Sequence, residues 1–156
     1  MRRLMRAACA LALCLCLAGC QARPAVQLFD GLLQAAGRAS LSPDFLLQGT
    51  RQLDSSGYTG SYTVHYEDFS GTETLLGGTT ALNTHCITVA CNAEASTGCL
   101  KVVLQRGTEE EILLEGTGAY EADLTLESGS NYICAVGEGF TGILRLEVTP
   151  SKESPA

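Results

Sequence analysis

The chain has 156 residues, with 10 Lys and Arg against 17 Asp and Glu, a formal net charge of −7 and no tryptophan. This balance excludes a nucleic-acid binder, whose recognition face is basic, and offers little attraction to anionic lipid. The length fits one domain with a sizeable core.

Arg2, Arg3 and Arg6 open the chain, residues 7–18 are apolar throughout, and Leu17-Ala18-Gly19-Cys20 closes the run. A spanning helix needs about 20 apolar residues. This stretch is shorter, and Gln21, Arg23 and Pro24 end it. A basic start, a short apolar run and small residues make a secretory signal. With a cysteine at its end, the segment resembles the lipobox of bacterial lipoproteins. The resemblance implies that residues 1–19 are a signal peptide that is removed. It implies too that Cys20 becomes a diacylglycerylated N-terminus, holding the protein to the extracytoplasmic face of the cell membrane. Two acyl chains anchor stably where one holds only marginally. The processed chain would have 137 residues, seven of them Lys or Arg against the same 17 carboxylates, a formal charge of −10.

Three of the eight cysteines, Cys9, Cys14 and Cys16, fall within that signal, and Cys20 is the acylation site. Cys86, Cys91, Cys99 and Cys134 remain. Outside the cytoplasm four cysteines permit two disulfides in three connectivities. The preferred reading joins Cys91 to Cys99, clamping the short loop between them, and Cys86 to Cys134. The alternative is a set of reduced, buried thiols.

Residues 20–25 read as a tether. Residues 26–57 read as a helical N-terminal segment. Val26, Phe29, Leu32, Leu33 and Ala36 recur at helical spacing, and a second short helix is expected with Ser42 as N-cap, Pro43 at its first position and Gly49 as its stop. Phe45, Leu46 and Leu47 would pack on the domain. From Tyr58 the period becomes two, with strands expected at residues 62–68, 84–91, 100–105, 112–114, 120–127 and 144–148, separated by Gly, Ser and Asn clusters. Inward positions include Ile87 and Val89, Leu100, Val102 and Leu104, Ile112 and Leu114, Tyr120, Ala122, Leu124 and Leu126, then Leu144, Leu146 and Val148. The fold class is therefore mainly β: an antiparallel β-sandwich over residues 58–149, jelly-roll or Ig-like, preceded by one or two short α-helices. Residues 150–156 read as a frayed tail. The pattern from Tyr58 to Val148 looks like the small β-sandwich domains of Gram-positive lipoproteins, a resemblance that brings no catalytic residues.

Few motifs carry chemistry. Gly137-Glu-Gly139-Phe-Thr-Gly142 matches a dinucleotide fingerprint but lies between strands with no helix to open, so a glycine-rich hairpin turn is expected there. Tyr132-Ile-Cys134 resembles the tyrosine-corner strand of immunoglobulin domains, but no tryptophan exists to complete that core. His65 and Glu67 share one strand face, and Cys86 and Cys91 fall on opposite faces, so no metal set is read. Asp68, Glu73, Glu94, Glu109, Glu110 and Glu138 lie in or beside turns without the convergence that calcium needs. Tyr58, Tyr62 and Tyr66 recur every four residues and form the candidate ligand platform, against the alternative of a stripe packed on the N-terminal helices. No catalytic residue, cofactor or metal is assigned. The sequence reads as a membrane-anchored, non-catalytic interaction module for an envelope protein, glycan or small solute, or alternatively as a structural envelope component. Hydrolytic or redox chemistry finds no constellation to support it.

Overall fold

The computed structural model describes residues 41–54, 57–80 and 85–151. Alternating apolar and polar residues fold into six antiparallel strands: β1 (Thr50–Leu53), β2 (Gly60–Thr80), β3 (His85–Arg106), β4 (Glu109–Glu115), β5 (Gly118–Leu126) and β6 (Gly129–Pro150). Their order is β1-β2-β6-β3-β4, with β5 also paired to β3. The C-terminal strand therefore runs between β2 and β3, and Thr149 and Pro150 still pair with Thr88 and Ile87.

Three strands exceed 20 residues, and each serves both layers of the fold. The first layer comprises β1, residues 60–66 of β2, 142–150 of β6, 85–95 of β3, and β5. The second comprises residues 71–80 of β2, 129–137 of β6, 99–106 of β3, and β4. Between the layers the register slips, at residues 66–71 of β2 and 95–99 of β3. Such bulges bend and twist a strand. The bend is sharp. Tyr62 and Glu73 are 11 residues apart, a span of roughly 36 Å if extended, yet the tyrosine hydroxyl lies 2.8 Å from the carboxylate. One continuous sheet thus folds over itself into a two-layered sandwich, in place of the two separate sheets of a jelly roll or Ig domain.

The core fills the space between the layers. Tyr62, Val64, Val89, Leu144, Leu146 and Val148 contribute from the first, and Leu75, Leu76, Leu100, Val102, Leu104 and Ile133 from the second. Most inward positions read from the alternation are buried. In β4 the reading is off by one: Ile112 is exposed and Leu113 is buried, because a register shift beside Val103 rotates the strand.

Three further expectations are corrected. The helix at residues 42–49 is a single 3-10 turn, Asp44–Leu46. Ser42 does not cap it; its N–H donates to Thr74 O and its Oγ accepts from Thr74 N, so it extends the sheet edge. Phe45 and Leu46 are exposed, and only Leu47 packs against the core. Residues 50–53, within the expected helical segment, are strand β1. The helix read at residues 26–39, the tether and the signal lie outside the described residues. Finally, Gly137, Gly139 and Gly142 form no hairpin turn; they sit inside β6 where it crosses between layers. A Cβ at Gly137 would stand 2.3 Å from the Phe69 ring, and one at Gly142 would stand 2.2 Å from Glu94 O. Close approach at the bend explains these two glycines.

Candidate functional site

The tyrosine platform expected from the sequence is not a surface. Tyr58, Tyr62 and Tyr66 are buried. Tyr62 and Tyr66 share a strand face, as their spacing requires, but that face is the inner one. Each hydroxyl donates to Glu73 Oε2, at 2.8 and 2.7 Å, while Gln48 N–H donates to Oε1 at 3.1 Å. Gly49 N–H in turn donates to the Tyr62 hydroxyl at 3.0 Å. Burial pushes both tyrosine hydroxyls far above their ordinary value, and the neighbouring Glu73 adds to the rise. Tyr66 also stacks on Phe69, with ring centroids 4.3 Å apart, and Tyr58 stacks on His85 at 5.2 Å. Tyr62 and Tyr66 are used here as large core residues whose polar ends find a buried acceptor. Glu73, read from sequence as a turn residue, is that acceptor. Its role is structural, since it is buried and its oxygens are taken.

Cys86, Cys91, Cys99 and Cys134 are free thiols, so neither Cys91–Cys99 nor Cys86–Cys134 forms. The folded sheet separates the partners. Cys91 pairs with Leu146 and Tyr120 in the first layer, whereas Cys99 sits beyond the bend opposite Glu138. Cys86 lies opposite Thr125, and Cys134 lies between Thr74 and Val103 in the second layer. Burial pushes the Cys91 thiol up to about 11 and raises that of Cys134. Neither has the lowered value that a reactive thiol requires. Among the described residues no three His, Cys, Asp or Glu side chains converge as metal ligands.

The side chains on the opposite, outward face of the first layer line a groove of about 570 Å³ crossing β2, β6, β3 and β5. The strand register sets them in two rows. One row runs Ser61, Glu147, Ala90, Glu121 and the next runs Thr63, Arg145, Asn92, Ala119. Two alanines among longer polar neighbours leave the depression. Glu147 and Glu121 flank Ala90 from two strands apart, a spacing of roughly 10 Å. Arg145 is steadied by Glu94, at 3.3 Å. The groove therefore offers carboxylate acceptors, a guanidinium, an amide and two hydroxyls on a rigid floor. Sequence alternation places Glu121, Arg145 and Glu147 on the outward side, but only the register reveals which of them are neighbours.

No protein-family model matches the chain, and no curated protein matches it. Among solved structures, it resembles a mutant of a family 29 carbohydrate-binding module, at 12% identity over 69% of this chain and 79% of the other, with a TM-score of 0.38. It also resembles a family 35 carbohydrate-binding module from an environmental isolate, at 18% identity over 69% and 90% of the two chains, with a TM-score of 0.36. A third likeness, described as a family 4 carbohydrate-binding module, has 10% identity over 71% and 84%, with a TM-score of 0.31. Likenesses this distant say nothing of ligand or site.

Proposed function

We propose that this chain is a non-catalytic binding module, held at the outer face of a membrane through acylated Cys20, whose groove takes a hydroxyl-rich ligand such as a glycan. The observation that carries the reading is the pair of polar rows across four strands, with a notch at Ala90. Carboxylates, an amide and a guanidinium are planar groups that engage neighbouring hydroxyls in pairs. Mounted on paired strands they are already ordered, which lowers the entropy cost of binding. Of the residues lining the groove only Tyr120 is aromatic, and it packs against the core, so affinity rests on hydrogen bonds and stays modest.

Hydrolysis is the poorer reading. Glu121 and Glu147 stand at a separation that two glycosidase carboxylates could use. Both are exposed, however, and neither sits in an enclosed apolar pocket of the kind a general-acid carboxyl occupies.

A glycan array probed with the detergent-solubilised full chain tests the reading. Neutral oligosaccharides should bind, and Ala90→Tyr, which fills the notch, should abolish binding. An array without hits, or binding indifferent to Ala90→Tyr, overturns it.

A further inference from the structure

Charge in the groove is unbalanced. The described residues include four Lys or Arg, and each already faces a carboxylate elsewhere. Arg51 meets Asp44, Lys101 meets Glu115, Arg106 meets Glu111 and Arg145 meets Glu94. Only Arg145 lines the groove. It stands two positions before Glu147 on the same face of β6, roughly 7 Å along the strand, yet it reaches the other way. Its Nη1 lies 3.3 Å from Glu94 Oε1, and Glu94 is paired with Ile143, one step further from Glu147. Among the described residues no Lys or Arg is thus left for Glu147 or for Glu121.

Those two carboxylates flank the notch. Glu147 and Glu121 are the strand partners of Ala90 on its two sides, so each backbone lies one strand spacing, roughly 5 Å, from it. Both side chains are exposed. Asp123, next on the outward face of β5, adds a third acid and accepts from Thr88. Two like charges facing one gap repel each other, and a cation between them relieves the repulsion and receives charge-assisted hydrogen bonds from both.

We infer that the groove selects a glycan bearing a free amino group, with the ammonium of an amino sugar seated at Ala90 between Glu147 and Glu121. The inference rests on the groove being a glycan site. An ammonium on a sugar ring stands beside hydroxyls, which Ser61, Thr63 and Asn92 along the same two rows can engage. A lysine side chain brings the charge on a bare methylene stem and leaves those groups unused.

A glucosamine oligomer and its N-acetylated counterpart of equal length differ at the amine alone. Both are titrated by calorimetry against the full chain in uncharged detergent, at a pH that protonates the amine. The free-amine form should bind about tenfold tighter, and the margin should shrink in about 1 M salt, which screens exposed charges. Glu121→Gln with Glu147→Gln keeps the side-chain shapes and removes the charges, and should bring the ratio of the two affinities near one. Glu109→Gln makes the same kind of change on β4, in the second layer, and should leave the ratio as it was. Three results overturn the inference: equal affinity for the two oligomers; a ratio lost as fully in Glu109→Gln, which means that the acidic surface as a whole attracts the amine; or a lysine oligomer that binds as tightly as the glucosamine one, which means that the groove reads charge without sugar. Where neither oligomer binds, the glycan array separates the two readings. Hits there keep the groove as a glycan site and defeat the amine alone, and an array without hits removes both.

Discussion

The two faces of the first layer use alternate residues of the same strands for opposite ends. On β2, Tyr62 and Tyr66 point inward to a buried carboxylate, while Ser61 and Thr63 point outward to the groove. Inside, the carboxylate is fully committed: one Glu73 oxygen takes two hydroxyls and the other a backbone N–H. Outside, the hydroxyls, amide and carboxylates face solvent and can exchange water for a ligand. A buried polar group must be satisfied by the fold itself, whereas an exposed one can be kept for recognition. Substitutions one residue apart should therefore differ by several kcal/mol in stability and in the opposite sense in binding.

The largest effect is expected at Glu73. Glu73→Ala strands two buried hydroxyls and a backbone N–H, and opens a cavity, at a cost of roughly 3–5 kcal/mol. A urea titration would read it as a large fall in midpoint. Tyr66→Phe should cost about 1–2 kcal/mol, because the carboxylate keeps its other donors. A Glu73→Ala variant as stable as the parent would mean that the inner face is not held by this network.

Alkali tests the same network without mutation. The folded Tyr62 and Tyr66 hydroxyls lie above the unfolded value of about 10. The folded chain then keeps protons that the unfolded chain releases, so stability is intact below that pH and falls as pH rises beyond it. Cys91, pushed up to about 11, starts the decline nearer pH 9. In a tyrosinate absorbance titration, two of the five tyrosines should ionise only as the protein unfolds.

Next in size is the bend, where the two layers join. Gly137→Ala drives a Cβ into the Phe69 ring and should cost about 1–3 kcal/mol. Gly107, in the β3–β4 turn with nothing within 4 Å, has only its left-handed φ of 57° to lose. Gly107→Ala should cost about 1 kcal/mol. Equal thermal shifts for the two would show that Phe69 yields, and that the bend is less tightly packed than the turn comparison requires.

The bend also marks where sequence ceases to be legible. Period-two alternation identifies the straight parts of the strands well: Val89, Val102, Leu144, Leu146 and Val148 all face inward as read. It divides β3 at Ala95-Ser96-Thr97-Gly98, because small exposed residues there break the pattern, and so misses that one strand serves both layers. That omission has consequences. With separate strands, Glu73 looks like a turn acid, and Cys91 looks able to reach Cys99. Once the strand is continuous, the pairing fails and the carboxylate is delivered onto Tyr62 and Tyr66. The groove is half visible. Alternation gives outward polar residues strand by strand, but the neighbour relations of Glu147, Ala90 and Glu121 depend on β6 inserting between β2 and β3, and no local signal encodes that order.

The smallest effect on stability, and the sharpest contrast with Glu73, belongs to the outer row. Asn92→Ala and Glu147→Ala remove side chains that face water, so the urea midpoint should move by no more than about 0.5 kcal/mol in equivalent terms. If the groove binds hydroxyl-rich ligands, the same two substitutions should weaken binding at least several-fold. Each removes a planar group aimed at one side of the notch. Loss of binding with unchanged stability would separate the outer face from the inner as recognition from architecture. A stability loss comparable to that of Tyr66→Phe would instead mean that the rows brace the sheet, through cross-strand pairs such as Asn92 with Arg145, and that the groove is a by-product of strand pairing.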